Sequence, residues 1–392
     1  MSVALFDLGQ RLRAATLARP VPRSRFAPVL PAINPVAVMV SGSGDRLLVR
    51  AADASRVTTA SGQDGLSALA ELGVSVGPDL RTLVVPDRDT LSRLLEVALT
   101  TGATSAHAGV AAGVGWWAER ADHPGTGAVL DVTSACTARW VLGVPPIHER
   151  EPAVWRQWLG IGDRGPRGLL EVAAIVSAGS TLPGLEAVAE DDRLSWDAFI
   201  ARVADPKSRW DWRRRDSRRE AALGLASRCD AAELYESLRL GDPLVATRES
   251  FGGTVVSGTL TALPSRTVVE VTLDQLACRL REQTAVEGFS GYPRDLPPAL
   301  ASAPLVRGRV TATRVTTDER LVVTIGDAIL RSVRTGQRIT LRPRSIDAYQ
   351  QRSGRQELHR RYAARRSWLS GGSPPTPRRR EVPLDVVIAA AE

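Results

Sequence analysis

Two strand-like segments fifty residues apart nearly repeat each other. Val256-Ser-Gly-Thr-Leu-Thr-Ala262 aligns with Val306-Arg-Gly-Arg-Val-Thr-Ala312. A turn-like stretch and a second apolar run follow each copy, at residues 268–273 and 321–325. The surrounding region, residues 244–344, is rich in Val, Thr and Leu, with Gly between short apolar runs, which is strand composition. The expectation is a tandem β-rich repeat domain of small β-barrel-like form. The copies differ in one respect. Ser257 and Thr259 in the first are replaced by Arg307 and Arg309 in the second. Both arginines alternate with Gly308 and Val310, so a strand points them to one face. Small barrels of the OB or SH3-like kind often bind single strands or RNA on such a face.

Charge sharpens this asymmetry. The chain has one lysine, Lys207, so arginine supplies nearly all the positive charge. A GC-rich coding sequence produces the same bias, and arginine content alone says little. The net charge of +8 is more informative, because exchanging Lys for Arg leaves it unchanged. Between Val306 and Arg380 lie eighteen arginines and five acids, a balance of +13, so the rest of the chain sums to −5. Such segregation suggests one surface made for an anionic partner. The candidate contacts in the β region are Arg307, Arg309, Arg331, Arg334, Arg338, Arg342 and Arg344. The tail adds Arg355, Arg360, Arg361, Arg365 and Arg366, around a helical face carrying Leu358, Tyr362 and Leu369. A further candidate is Arg209-Trp-Asp-Trp-Arg-Arg-Arg215. Trp210 and Trp212 would stack on bases there while Arg213, Arg214 and Arg215 meet phosphates. The competing reading is a Trp pair anchoring a helix end, with Asp211, Asp216 and Glu220 answering the arginines.

The rest of the chain divides by pattern into further regions. Residues 1–35 hold a short amphipathic helix, 3–18, and a Pro-rich arm with Arg19, Arg23 and Arg25. That arm either crosses a partner or wraps its own domain. Residues 36–150 read as an α/β domain. Its first hairpin encloses Ser41-Gly-Ser-Gly-Asp45, and its strand at 81–85 leads through Asp87 and Asp89 into a helix. A second strand, not a helix, follows the Gly-rich loop, which argues against phosphate binding there. Residues 151–243 read as a helical domain, with segments near 168–178, 184–190, 195–204 and 216–240. Ser217 and Glu220 have capping-box spacing. The short pair around Gly179 to Pro183 resembles a helix-turn-helix only in outline. Residues 345–392 hold the basic helix, a Ser-Gly-Pro linker and an alternating strand with Val382, Leu384 and Val386. The fold class is therefore α+β and multidomain.

Catalytic and metal patterns are missing. His107, His123, His148 and His359 stand in no metal spacing, and there is no G-x-S-x-G elbow, Walker lysine or dinucleotide fingerprint. Asp87 and Asp89 have the spacing of a Mg²⁺ pair, but one helix cap explains both. Asp131, Cys136 and His148 are a further candidate grouping, but nothing in the sequence requires them to converge. The three cysteines make no C-x-x-C pair, so neither a zinc knuckle nor a disulfide framework is expected. No apolar run approaches the ~20 residues of a membrane helix, and charges interrupt the N-terminal pattern, so a cytoplasmic location is expected. The reading is a non-enzymatic nucleic-acid-binding subunit of a larger DNA- or RNA-handling assembly, with other protein subunits as partners and no cofactor. The alternative is an adaptor docking on an acidic protein surface. Third comes an enzyme with its site in the α/β domain.

Overall fold

A computed structural model describes residues 3–23, 30–43, 46–74, 77, 79–101, 107–179, 184–205, 211–213, 216–297, 302–344 and 360. The chain separates into two units. The first is Met1–Arg214 with Arg228–Ala348, and the second is Arg215–Ser227 with Tyr349–Glu392.

The first unit begins with α1 (Val3–Leu17) and β1 (Val21–Pro22). Arg11 and Arg23 both reach the buried carboxylate of Glu149, at 2.8 and 3.3 Å. The arm at Arg23 therefore wraps its own domain; Arg25 lies outside the described residues. Beyond the arm comes a five-stranded sheet in the order β4-β3-β2-β5-β6. Its strands are β2 (Val36–Ser41), β3 (Leu48–Ala52), β4 (Val57–Ser61), β5 (Leu83–Val85) and β6 (Val129–Asp131). β2, β5 and β6 run parallel, and β3 is antiparallel to both of its neighbours, β2 and β4. Side chains alternate across β2. Val36, Val38 and Val40 enter one core with α2 (Ser67–Glu71), α3 (Arg88–Thr101) and α4 (Ala108–Arg120). Ala37 and Met39 enter the other with α5 (Val132–Arg139), α6 (Pro152–Trp158) and α7 (Pro166–Ser177).

That second core corrects the boundary drawn at residue 151. α6 and α7 are not a domain of their own but one outer layer of the sheet. The opposite layer also takes Trp196 and Phe199 from α8 (Glu186–Ala204). α8 is a single helix where two were expected. Asp191 and Asp192, which looked like a break, are buried and bonded to Arg120 of α4. Asp192 also accepts from the Gly127 N–H at 2.7 Å. The expected cap is in place, since Asp87 accepts from the Thr90 N–H at 2.8 Å. Residues 180–183 of the helix-turn-helix outline lie outside the described residues.

α9 (Arg218–Arg239) opens with the expected capping box. The Ser217 N–H donates to Glu220 at 2.7 Å, and the Glu220 N–H donates to the Ser217 hydroxyl at 3.3 Å. α10 (Pro243–Phe251), capped by Asp242, leads into the β region.

Here the duplication resolves differently from a tandem pair. The strands are β8 (Val256–Ser265), β9 (Val268–Leu273), β10 (Ala285–Ser290), β11 (Val306–Val315), β12 (Leu321–Leu330) and β13 (Arg338–Pro343). They close into one antiparallel barrel in the order β10-β11-β12-β9-β8-β13. Three strands cannot close on themselves, so each copy completes the other. The register carries the repeat. β13 pairs Ile339 with Gly258 and Leu341 with Val256, as β10 pairs Val286 with Gly308 and Gly288 with Val306. The register slips after Leu260 in one copy and after Val310 in the other. A Cβ on Gly258 would collide with the Thr272 carbonyl, and one on Gly308 with the Gly326 carbonyl, so both copies need glycine there. The inward residues, among them Val256, Leu260, Val271, Val306, Val310 and Ile325, fill a single core.

Candidate nucleic-acid interface

On β11, Val306 and Val310 face the core, while Arg307 is half-buried and Arg309 exposed on the outer wall. β10 lies beside β11, and β13 lies on the far side of β10. This register lines up two rows. In the first, Ala285 stands between Arg309 and Arg344, whose N–H donates to the Ala285 carbonyl at 2.9 Å. In the second, Glu287 stands between Arg307 and Arg342. Neighbouring strands are about 4.8 Å apart and the rows about 7 Å, so four arginine positions are neighbours on this wall. Residues far apart in sequence meet here only because the barrel closes.

The second row is not uniform. Glu287 and Arg342 are 4% and 0% exposed. Arg342 Nε donates to Glu287 at 2.8 Å, its Nη1 donates to the Pro297 carbonyl at 2.9 Å, and its guanidinium lies 4.7 Å from the Phe289 ring centre. α10 and residues 293–296 roof this part of the wall, with Phe289, Leu240, Ala246 and Leu296 packed together. Arg342 is therefore corrected from a surface contact to a buried structural cation. Arg307, by contrast, has its Nε enclosed without an acceptor among the described residues, and neither it nor Arg309 meets a carboxylate there. Arg309 gives one long hydrogen bond, 3.4 Å, to the Gln283 carbonyl.

Other expected contacts fall elsewhere. Arg331 and Arg334 are exposed in the connection between β12 and β13. Arg338 lies at the opposite end of β13 from Arg344, paired with Asp274 and stacked 4.4 Å from the Tyr292 ring centre. Trp212 sits in the first unit beside α4. It is half-buried and packs one side of its ring on the first core, against Gly115 of α4, as the helix-anchoring reading expects. Arg213 is exposed and pairs with Asp211 at 2.9 Å. Trp210, Arg214 and Arg215 lie outside the described residues, as do Arg355, Arg361, Arg365, Arg366, the linker and the C-terminal strand; Arg360 is described and exposed.

No metal-ligand cluster occurs among the described residues. Asp131 caps α5 through Ser134, Cys136 is fully buried, and His148 faces Glu151 at 3.2 Å on the surface, so these three form no joint site. Among the described residues no helix is long and apolar enough to cross a membrane. The chain matches no protein-family model, no curated protein and no solved structure.

One exposed aromatic escaped the sequence reading. Tyr292 follows β10 in Gly291-Tyr-Pro-Arg294. Its signal was an aromatic beside an arginine, fixed between glycine and proline.

Proposed function

We propose that this protein binds nucleic acid without reacting with it, as one subunit of a larger assembly. The contact is made on the phosphate backbone by guanidinium groups of the β13-β10-β11 wall and, separately, by arginines of the tail. One observation carries this reading. The register sets Arg309 and Arg344 on either side of Ala285, with Arg307 two residues along β11, and no carboxylate among the described residues lies within ion-pair distance of Arg307 or Arg309. A patch of this kind has charge but few directional acceptors, so it favours phosphate over base edges and gives little sequence readout.

The test is fluorescence anisotropy with labelled DNA and RNA oligonucleotides across a salt series. Binding should weaken log-linearly with salt. The double variant Arg307→Ala, Arg309→Ala should weaken it about equally for unrelated sequences and lower the slope by about 1.4 to 1.8, the loss of two phosphate contacts. An unmodified protein that binds neither DNA nor RNA at low salt removes the proposal. Variants that keep nucleic-acid binding but lose a protein partner move the patch to the adaptor reading.

A further inference from the structure

Tyr292 is 47% exposed and is not part of the barrel core. Its backbone is held on both sides. Gly291 before it has φ +99°, and Pro293 after it fixes the chain. The Tyr292 N–H donates to the Asp295 carboxylate at 3.0 Å, and its carbonyl accepts from the Asp295 N–H at 2.8 Å. The ring is held as well. The Arg338 guanidinium lies 4.4 Å from its centre and is itself anchored by Asp274. A second cation, Arg294, lies 5.6 Å from the ring centre with a side chain 75% exposed. An exposed aromatic fixed this firmly does not serve to fill a core. It has already lost the freedom that binding would otherwise remove.

We propose that Tyr292 is a base-stacking platform, and that the ligand of the barrel is therefore single-stranded nucleic acid. This rests on the nucleic-acid reading above and narrows it. Duplex bases hide their faces in the stack and show only edges, so a fixed ring can stack only on an unpaired base. Arg338 backs the ring. Arg294 also lies 3.8 Å from the Asp295 carboxylate, an exposed pair that a phosphate would have to displace. Tyr292 lies seven positions beyond Ala285 along the chain, just past the end of β10, which sets an upper limit of about 25 Å. That separation lies within the ~4 to 16 nucleotides that single-strand-binding barrels cover.

The experiment compares four probes of equal length: oligo(dT), oligo(U), a DNA duplex, and an abasic strand that keeps the phosphates without bases. Tyr292→Ala should weaken oligo(dT) and oligo(U) binding by about 5- to 150-fold. Duplex and abasic binding should hardly change, and Tyr292→Phe should bind like the unmodified protein. If oligo(dT) affinity is unchanged in Tyr292→Ala while Arg307→Ala, Arg309→Ala weakens every probe, the platform is wrong and the phosphate patch stands. Equal weakening of the abasic strand by Tyr292→Ala also overturns the platform. Loss of oligo(dT) affinity in Tyr292→Phe does the same, since the ring remains. No binding of any probe by the unmodified protein overturns both readings.

Discussion

Replacing Glu287 with Gln should leave a charged guanidinium stranded in the barrel wall. Arg342 is 0% exposed, and Glu287 is its only carboxylate partner among the described residues, at 2.8 Å. The Pro297 carbonyl and the Phe289 ring remain, but neither cancels the charge. Breaking a buried pair from one side costs about 3–5 kcal/mol. Gln keeps one acceptor, so the lower end applies. That corresponds to a loss of about a hundredfold in amide protection along β10 and β13. Replacing both, Glu287→Leu with Arg342→Met, removes the charge along with its partner and should stay within about 1–2 kcal/mol of the original. Hydrogen exchange read by mass spectrometry is the suitable assay, because no tryptophan lies in residues 244–344 to report the barrel by fluorescence. A protection loss below about fivefold in the single variant would refute the reasoning, as would a double variant no better than the single. The double variant should also keep the salt slope of nucleic-acid binding, because a cation sealed in the wall touches no phosphate.

Two more outcomes follow from buried groups. His123 is held down to about 4, by burial first and the Arg120 charge second. The unfolded chain takes up the proton near pH 6.5, before the folded one does. The stability this contributes is full above that pH and is lost as pH falls toward 4, by about 3 kcal/mol. Calorimetry of His123→Gln should show a shallower pH dependence across this window, and an identical slope would count against it. The thiols should separate with Ellman's reagent. Exposed Cys229 reacts first and half-buried Cys278 more slowly. Cys136, whose thiol burial pushes far up, reacts only on unfolding. Three equal rates would contradict this burial.

Local chemistry was legible wherever neighbours in sequence decide it. Asp87, the Ser217–Glu220 box and the alternation of β8 and β9 all came from short patterns. Errors arose where the deciding partner is distant. Val256 pairs with Leu341, and nothing in either segment says so; two hairpin copies were therefore read as two units instead of halves of one. Arg342 was read as a surface contact from the run of arginines alone, but the roof of α10 over that wall is a tertiary fact. Asp191 and Asp192 read as a helix break because their neutralising partner, Arg120, sits on another helix. The packing of Trp212 on Gly115 was likewise not legible, because that glycine lies nearly a hundred residues earlier. The arginines of β11 were found because their spacing alone fixes the face they share.

The paired halves of the barrel have one more consequence. A surface built from two identical halves looks the same after half a turn, and anything lying across it fits equally well either way round. Here both halves belong to one chain, so each could change without the other. Ser257 and Thr340 share a 2.7 Å hydroxyl contact where the matching positions hold Arg307 and Glu287. Thr259 stands where the other half has Arg309. Joining the halves therefore gives the barrel a front and a back, so the two ways of laying a ligand across it are no longer equivalent.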